Sequence, residues 1–175
     1  VYDVIVQASD GSLFDSQVVA VTVTPVNDNA PAITSDGGAA TASVNVAENS
    51  TAVTTVTAID ADLPAQSLTY SIVGGADAAR FSITAATGAL SFLVAPNYEA
   101  PTDAGADNVY DVTVQVSDGT FADSQAIAVT VTPVNDNAPV IASNGGGATA
   151  SANVAENAAA VTTVIATDSD LPAQS

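Results

Sequence analysis

The feature that most constrains this chain is an internal repeat. Val1-Tyr2-Asp3-Val4 returns as Val109-Tyr110-Asp111-Val112, and Pro25-Val26-Asn27-Asp28-Asn29-Ala30-Pro31 returns over Pro133 to Pro139. Val46-Ala47-Glu48-Asn49 returns at Val154 to Asn157, and Asp60-Ala61-Asp62-Leu63-Pro64 as Asp168-Ser169-Asp170-Leu171-Pro172. Every pair is offset by 108 positions, and about 50 of the residues in 1–67 are identical to their partners in 109–175. Such self-similarity is the mark of a tandem array. The two Asn-Asp-Asn-Ala-Pro segments have linker-like turn chemistry and set the borders. They divide the chain into the C-terminal part of one repeat (1–30), a complete repeat (31–138) and the N-terminal part of a third (139–175). Opening and closing in mid-repeat, the chain is expected to be a window of a much longer protein.

Within the complete repeat the apolar period is two, as strands require. Tyr110, Val112, Val114 and Val116 alternate with Val109, Asp111, Thr113 and Gln115, and Ala126 to Thr132 alternates likewise. Shorter strand-like runs are Ala42–Val46, Ala52–Ala58, Leu68–Ile72, Phe81–Ile83 and Ala89–Phe92. Turn signals separate them at Ser35-Asp36-Gly37-Gly38, Gly74-Gly75, Thr87-Gly88 and Asp118-Gly119. No segment carries a capped helical stripe of ten or more positions, and Gly75 to Arg80 fits one short turn. About seven short strands per repeat predict an all-β chain of tandem Greek-key sandwiches of immunoglobulin type. Cysteine is absent, so no disulfide joins the sheets, and Val, Ile, Leu, Phe and Tyr must supply the core.

Charge then narrows the function. The chain has 19 acidic residues, one basic residue (Arg80) and no histidine, for a net charge of -18. One arginine cannot line a groove for nucleic acid, nor draw the chain to an anionic membrane. No apolar run approaches the roughly 18 to 20 residues of a membrane helix. Without Cys or His there is no thiol, haem or zinc-finger site. Charged residues are only 11% of the chain, against a usual ~25%, so the acids are spent at particular places.

Five acidic or amide positions keep step with the repeat. They are Glu48 (Glu156), Asp60 with Asp62 (Asp168 with Asp170), Asn27-Asp28-Asn29 (Asn135-Asp136-Asn137) and Asp10 (Asp118), with Glu99 seen once. All fall at strand ends or in loops. In an extended Asp-x-Asp pair both side chains point to one side and reach one ion. Carboxylates and amide carbonyls are hard oxygen donors that suit Ca²⁺, whereas Mg²⁺ demands a tighter octahedron and transition metals want nitrogen or sulfur. Asp36, Asp77, Asp103 and Asp107 read as ordinary turn residues. Paired carboxylates also serve glycoside hydrolysis, but that needs one cleft with aromatic platforms, and here the acids recur in every copy. Ser and Thr have no His or Lys to activate them, so no enzyme is expected.

Val46-Ala47-Glu48-Asn49, Asp60-Ala61-Asp62, Tyr70-Ser71-Ile72, Phe81-Ser82-Ile83 with Thr87-Gly88, Asn97-Tyr98-Glu99, Ser117-Asp118-Gly119 and Asn135-Asp136-Asn137-Ala138-Pro139 follow one another along the repeat. In kind and order this set resembles a cadherin repeat, in the cadherin-like form of giant bacterial surface adhesins. The resemblance implies calcium at each junction between repeats. The second junction would use Glu48, Glu99, Asn135, Asp136, Asn137, Asp168 and Asp170. The first would use Asn27, Asp28, Asn29, Asp60, Asp62 and Asp118. Asp10 would serve a junction upstream and Glu156 one downstream. Two positions depart from the family pattern, each removing a carboxylate: Pro25 and Pro133 stand where the linker usually opens with Asp, and Asn97-Tyr98-Glu99 stands for Asp-Arg-Glu.

A complete junction would gather about six carboxylates, each pair repelling by on the order of 1–4 kcal/mol at a few Å. Two or three Ca²⁺ ions would roughly cancel them. The expected protein is a secreted bacterial spacer, rigid with calcium and a repelling hinge without it, whose partners are its neighbouring repeats. The alternatives are a self-assembling filament or biofilm-matrix fibre with homotypic contacts, and a glycan-binding module.

Overall fold

The computed structural model describes residues 1–170. The end of the third segment, 171–175, with Leu171 and Pro172 of the repeated motif, lies outside the described residues. A hairpin opens the chain, β1 (Tyr2–Ser9) with β2 (Phe14–Val21). The complete unit then runs β3 (Ala32–Ile33), β4 (Thr41–Ala47), β5 (Ala52–Thr55), β6 (Ala58–Ile59) and β7 (Thr69–Gly74). It continues through β8 (Phe81–Ile83), β9 (Ala89–Phe92), β10 (Val109–Ser117) and β11 (Ala122–Thr132). Last come β12 (Val140–Ile141) and β13 (Ala166–Thr167), which pair as β3 and β6 do.

The unit is a two-layer β-sandwich. One sheet has the order β4-β11-β10-β7 and the other β5-β9-β8, with the β3-β6 pair beside them. All pairings are antiparallel except β4 with β11, which run parallel from Thr41 opposite Ala126 to Ala47 opposite Thr132. The alternation that predicts strands also fills the core. Tyr110, Val112, Val114 and Val116 of β10 and Ile127, Val129 and Val131 of β11 are buried on one face. Leu90 and Phe92 of β9 meet them from the other sheet. Phe81 stacks on Phe92 at 4.6 Å, and Tyr110 meets Phe92 edge-on at 5.1 Å, geometries that suit the ring quadrupole.

The sequence twin of β10–β11 shows that this burial is tertiary. Tyr110 is 1% exposed, whereas Tyr2, its partner in the repeat, is 68% exposed. Pairing register and hairpin are the same; what differs is that no second sheet covers β1 and β2 among the described residues.

The run Ala52–Ala58 is not one strand. It pairs with β9 up to Thr55, then crosses at the fully buried Val56 and pairs with β3 from Ala58. Val56 donates its N–H to Gly88 O at 2.9 Å, which pins the crossing to the β8–β9 turn. Gly88 lies at φ 71, and a Cβ there would sit 2.1 Å from Val56 O. Both the left-handed backbone and the close approach demand glycine. Gly88→Ala is therefore expected to cost at least about 2 kcal/mol, read as a lowered urea midpoint with unchanged slope.

Candidate metal centre

Both linkers are fastened by N–H groups that point at carboxylates. At the first, Asp28 N and Asn29 N donate to Asp62 Oδ2 at 3.1 and 3.0 Å, and the Asn29 amide donates to Asp62 Oδ1 and to Asp28. Asp62 N in turn donates to Asp60 Oδ1 at 2.9 Å, so the Asp-x-Asp pair is a local turn closed on itself. Oxygens of Asp60, Asp62 and Asp118 lie within 4.8 Å of one another. Asp118 reaches this place from the β10–β11 turn. Its Oδ1 accepts Thr120 N at 2.6 Å and Phe121 N at 2.7 Å, which turns Oδ2 away from the hairpin's own donors.

Three oxygens here are buried without a well-formed hydrogen bond: Asn27 Oδ1, Asp60 Oδ2 and Asp118 Oδ2. The Asn27 amide nitrogen is taken by Gln66 Oε1 at 2.8 Å. Burying such atoms is unfavourable unless a donor or a cation completes them. The donor set, carboxylates with one amide carbonyl, fits a hard divalent cation.

At the second linker, oxygens of Glu48, Glu99 and Asp136 lie within 4.8 Å of one another. Glu48 is 3% exposed and accepts Tyr98 N on Oε2 at 2.8 Å and Val134 N on Oε1 at 2.7 Å. It thereby joins the loop that carries Glu99 to the start of the linker. Asn137 donates from its backbone and its amide to Asp170, whose N–H returns to Asp168 Oδ1 at 3.0 Å. Asn29–Asp62 and Asn137–Asp170 are thus the same joint 108 residues apart. Asn135 is exposed, and the repeat partner of Gln66, Gln174, lies outside the described residues. Asp10 and Glu156 are exposed and join neither cluster among the described residues. The two linkers show complementary halves of one arrangement. The first has the carboxylates that come from after a linker, and the second has those that come from before one.

Some residues were passed over by sequence reasoning. Asn49 sits in the left-handed region at φ 64, a conformation asparagine tolerates, and its amide donates to Asp136 Oδ2 at 2.6 Å. Asp77, read as a turn residue, is buried and accepts Ala104 N at 2.7 Å and Asp111 N at 2.9 Å, holding the long loop that bears Glu99. Asp123 accepts Ile33 N and fixes β3. The Glu-Asn pair repeated at 48–49 and 156–157 was the available signal for Asn49; nothing local marks the other two.

Hydrogen bonds set the acidity of the joint. Asp62 titrates below the usual 3.8, chiefly because the Asn29 side chain and then its N–H donate to it. Asp170 is lowered in the same way, first by the Asn137 side chain. For Asp118 the Phe121 N–H is the main cause, joined by the Thr120 N–H and the Asn27 side chain, while partial burial and the charge of Asp62 push the other way. Asp62 and Asp170 are 5% and 1% exposed, covered by their immediate neighbours but with little protein mass around them, so donors outweigh desolvation.

Residues 42–134 match the family model of the cadherin domain. The chain belongs to the cadherin family. Among curated relatives it is 33% identical over 164 residues to human protocadherin Fat 1, covering 90% of this chain and 3% of that protein. It is 36% identical over 162 residues to human cadherin EGF LAG seven-pass G-type receptor 2, covering 91% and 5%. A third is the protocadherin-like wing polarity protein stan of Drosophila melanogaster, 35% identical over 163 residues, covering 89% and 4%. The chain thus spans only a few hundredths of these relatives, which are animal proteins. Among solved structures, the cis-dimer of protocadherin gammaB7 EC3-6 superimposes with a TM-score of 0.67 at 27% identity, covering 97% of this chain and 43% of that one. Cadherin domains are extracellular adhesion modules, and no helix among the described residues is long and apolar enough to cross a membrane.

Because these carboxyls titrate lower folded than unfolded, their contribution is fully present above pH 3.8 and is lost as pH falls through the lowered values. In chelator, the Asn29 and Asn137 amide resonances should hold their positions down to about pH 4 and move only below it. Movement complete by about pH 5 would contradict the assignment.

Proposed function

We propose that this chain is a calcium-stiffened spacer, in which ions bound between successive sandwiches hold an extracellular adhesin extended. The borders fall at the linkers, giving units 1–30, 31–138 and 139–175. The observation that carries the reading is the crowding of Asp60, Asp62 and Asp118, whose oxygens lie within 4.8 Å of one another beside a linker, with Asp60 Oδ2, Asp118 Oδ2 and Asn27 Oδ1 buried and without a well-formed hydrogen bond. Charge supports it. Each junction collects carboxylates from three segments in a chain whose only basic side chain is Arg80. A divalent cation removes that repulsion and completes the orphaned oxygens.

The ligand set combines what the two linkers show. Glu48, Glu99, Asn135, Asp136 and Asn137 meet Asp168 and Asp170, with the counterpart of Asp118 from the following repeat. Asn27, Asp28 and Asn29 meet Asp60, Asp62 and Asp118. Asp10 and Glu156 serve the neighbouring junctions on either side. Each residue binds or orients. Glu48 ties the Glu99 loop to the linker, Asp62 and Asp170 hold the linker against the next sandwich, and the remaining oxygens face the ion. A bacterial source in a giant adhesin or matrix protein is our reading of the resemblance and of the near-identity of adjacent repeats. The cis-dimer formed by the protocadherin gammaB7 neighbour supports a second reading, in which such arrays also pair side by side.

Small-angle scattering should give a longer, stiffer particle in calcium than in chelator, and calorimetry should give calcium binding that Asp136→Ala weakens at least tenfold. The same substitution should leave the thermal transition of the complete repeat within about 0.5 kcal/mol of the parent, because Asp136 is an exposed linker residue. No calcium uptake, or identical scattering in the two buffers, would end the spacer reading. Concentration-dependent mass in sedimentation would favour lateral pairing.

A further inference from the structure

The cation-free contacts at the second linker are uneven along its length. Val134 belongs to the sandwich before it, through its N–H to Glu48 Oε1 at 2.7 Å. Asn137 belongs to the segment after it, through its N–H at 3.2 Å and its amide at 2.8 Å to Asp170. The same downstream attachment is made at the first linker by Asn29, so it is a property of the repeat and not of one copy. Between the two anchored residues stand only Asn135 and Asp136. Asp136 is held from both directions. Asn137 donates to its Oδ1 at 2.8 Å, and Asn49 of the preceding sandwich donates to its Oδ2 at 2.6 Å. Asn49 is itself braced, its N–H donating to Pro96 O at 2.9 Å from a left-handed backbone.

We propose that Asn49 is a positioning residue that straps the linker carboxylate of Asp136 to the preceding sandwich and so restrains a pivot at Asn135, about which everything from Asp136 onward would otherwise move with the repeat that follows. The strap needs no cation; only its effect on ion affinity rests on the calcium reading. A carboxylate has about four acceptor sites, so the amide can keep its bond while the other lone pairs face Glu48 and Glu99. An outer-shell donor of this kind fixes the rotamer of a ligand, and its loss typically costs 10- to 100-fold in metal affinity. With the strap gone, Asp136 would swing with the downstream repeat and leave Glu48 and Glu99 facing solvent.

The chain has no cysteine, so two introduced thiols report one distance without background. Spin labels on Ser82→Cys and Ser151→Cys, both exposed positions on either side of the joint, would be read by pulsed dipolar spectroscopy on the full chain. Glycine accepts the left-handed backbone of residue 49, so Asn49→Gly removes the amide while keeping the turn. In chelator the distance distribution should be at least half as broad again in Asn49→Gly as in the parent. Asp136→Ala should broaden it equally, and the double variant no further, because both remove the Asn49–Asp136 bond and the Asn137 bond that Asp136→Ala also loses lies within the linker. In calcium, Asn49→Gly should need about tenfold more ion to reach the parental width. Equal widths in chelator for parent and Asn49→Gly, or additive broadening in the double variant, would overturn the strap. Calcium that narrows neither protein would sink the calcium reading and leave the strap standing on its chelator arm.

Discussion

Buried carboxylates among the described residues are held by N–H groups. With 19 acids and one arginine, no general scheme of ion pairs is available. Glu48, Asp62, Asp77, Asp103 and Asp170 are buried, and each takes N–H donors from a segment that would otherwise be loose. Charge-assisted bonds of this type are about twice as strong as neutral ones. They fix loops where a larger core or a disulfide would do so in another small domain. They also bring the remaining oxygens of several acids into close quarters at both linkers, and the proposed cation sites rest on this crowding.

The sandwich and the junction therefore depend on each other through a few side chains. Asp77 holds the loop that carries Glu99; Glu48 ties that loop to the linker; Asp170 holds the linker to the next repeat. The core meets this chain of contacts at the loop. Its aromatic cluster of Phe81, Phe92 and Tyr110 lies between the sheets, Tyr98 of the loop packs against the core, and the Tyr110 hydroxyl accepts Thr102 N at 3.2 Å.

Much of this was legible from residue order. Phe81–Ile83 and Ala89–Phe92 are strands with the bounds their patterns imply, and β10 and β11 bury the residues that alternation selects. The all-β sandwich and the cadherin family also follow from strand spacing and ordered motifs. What period-two reading cannot supply is a change of sheet within a run. Ala52–Ala58 is split because the chain pairs with β9 up to Thr55 and with β3 from Ala58, a change of partner set by tertiary structure. Asp123 and Gln125 escaped for a related reason: their partners, Ile33 and Ala39, lie at the opposite end of the unit. The acids at the linkers were visible because repetition marks them. Asn49 is repeated too, as Asn157, but its role stays hidden because asparagine beside a glutamate looks like any turn until Asp136 is seen opposite its amide.

The parallel pairing of β4 with β11 has a mechanical meaning. The strand near the start of the unit and the strand at its end lie side by side and point the same way, joined over seven residue pairs from Thr41–Ala126 to Ala47–Thr132. Tension applied to the two ends would draw these strands past each other, loading the whole ladder at once, where an antiparallel pair pulled from its open end would unzip one bond at a time. The fold is thus arranged to resist being stretched along the axis on which its copies follow one another.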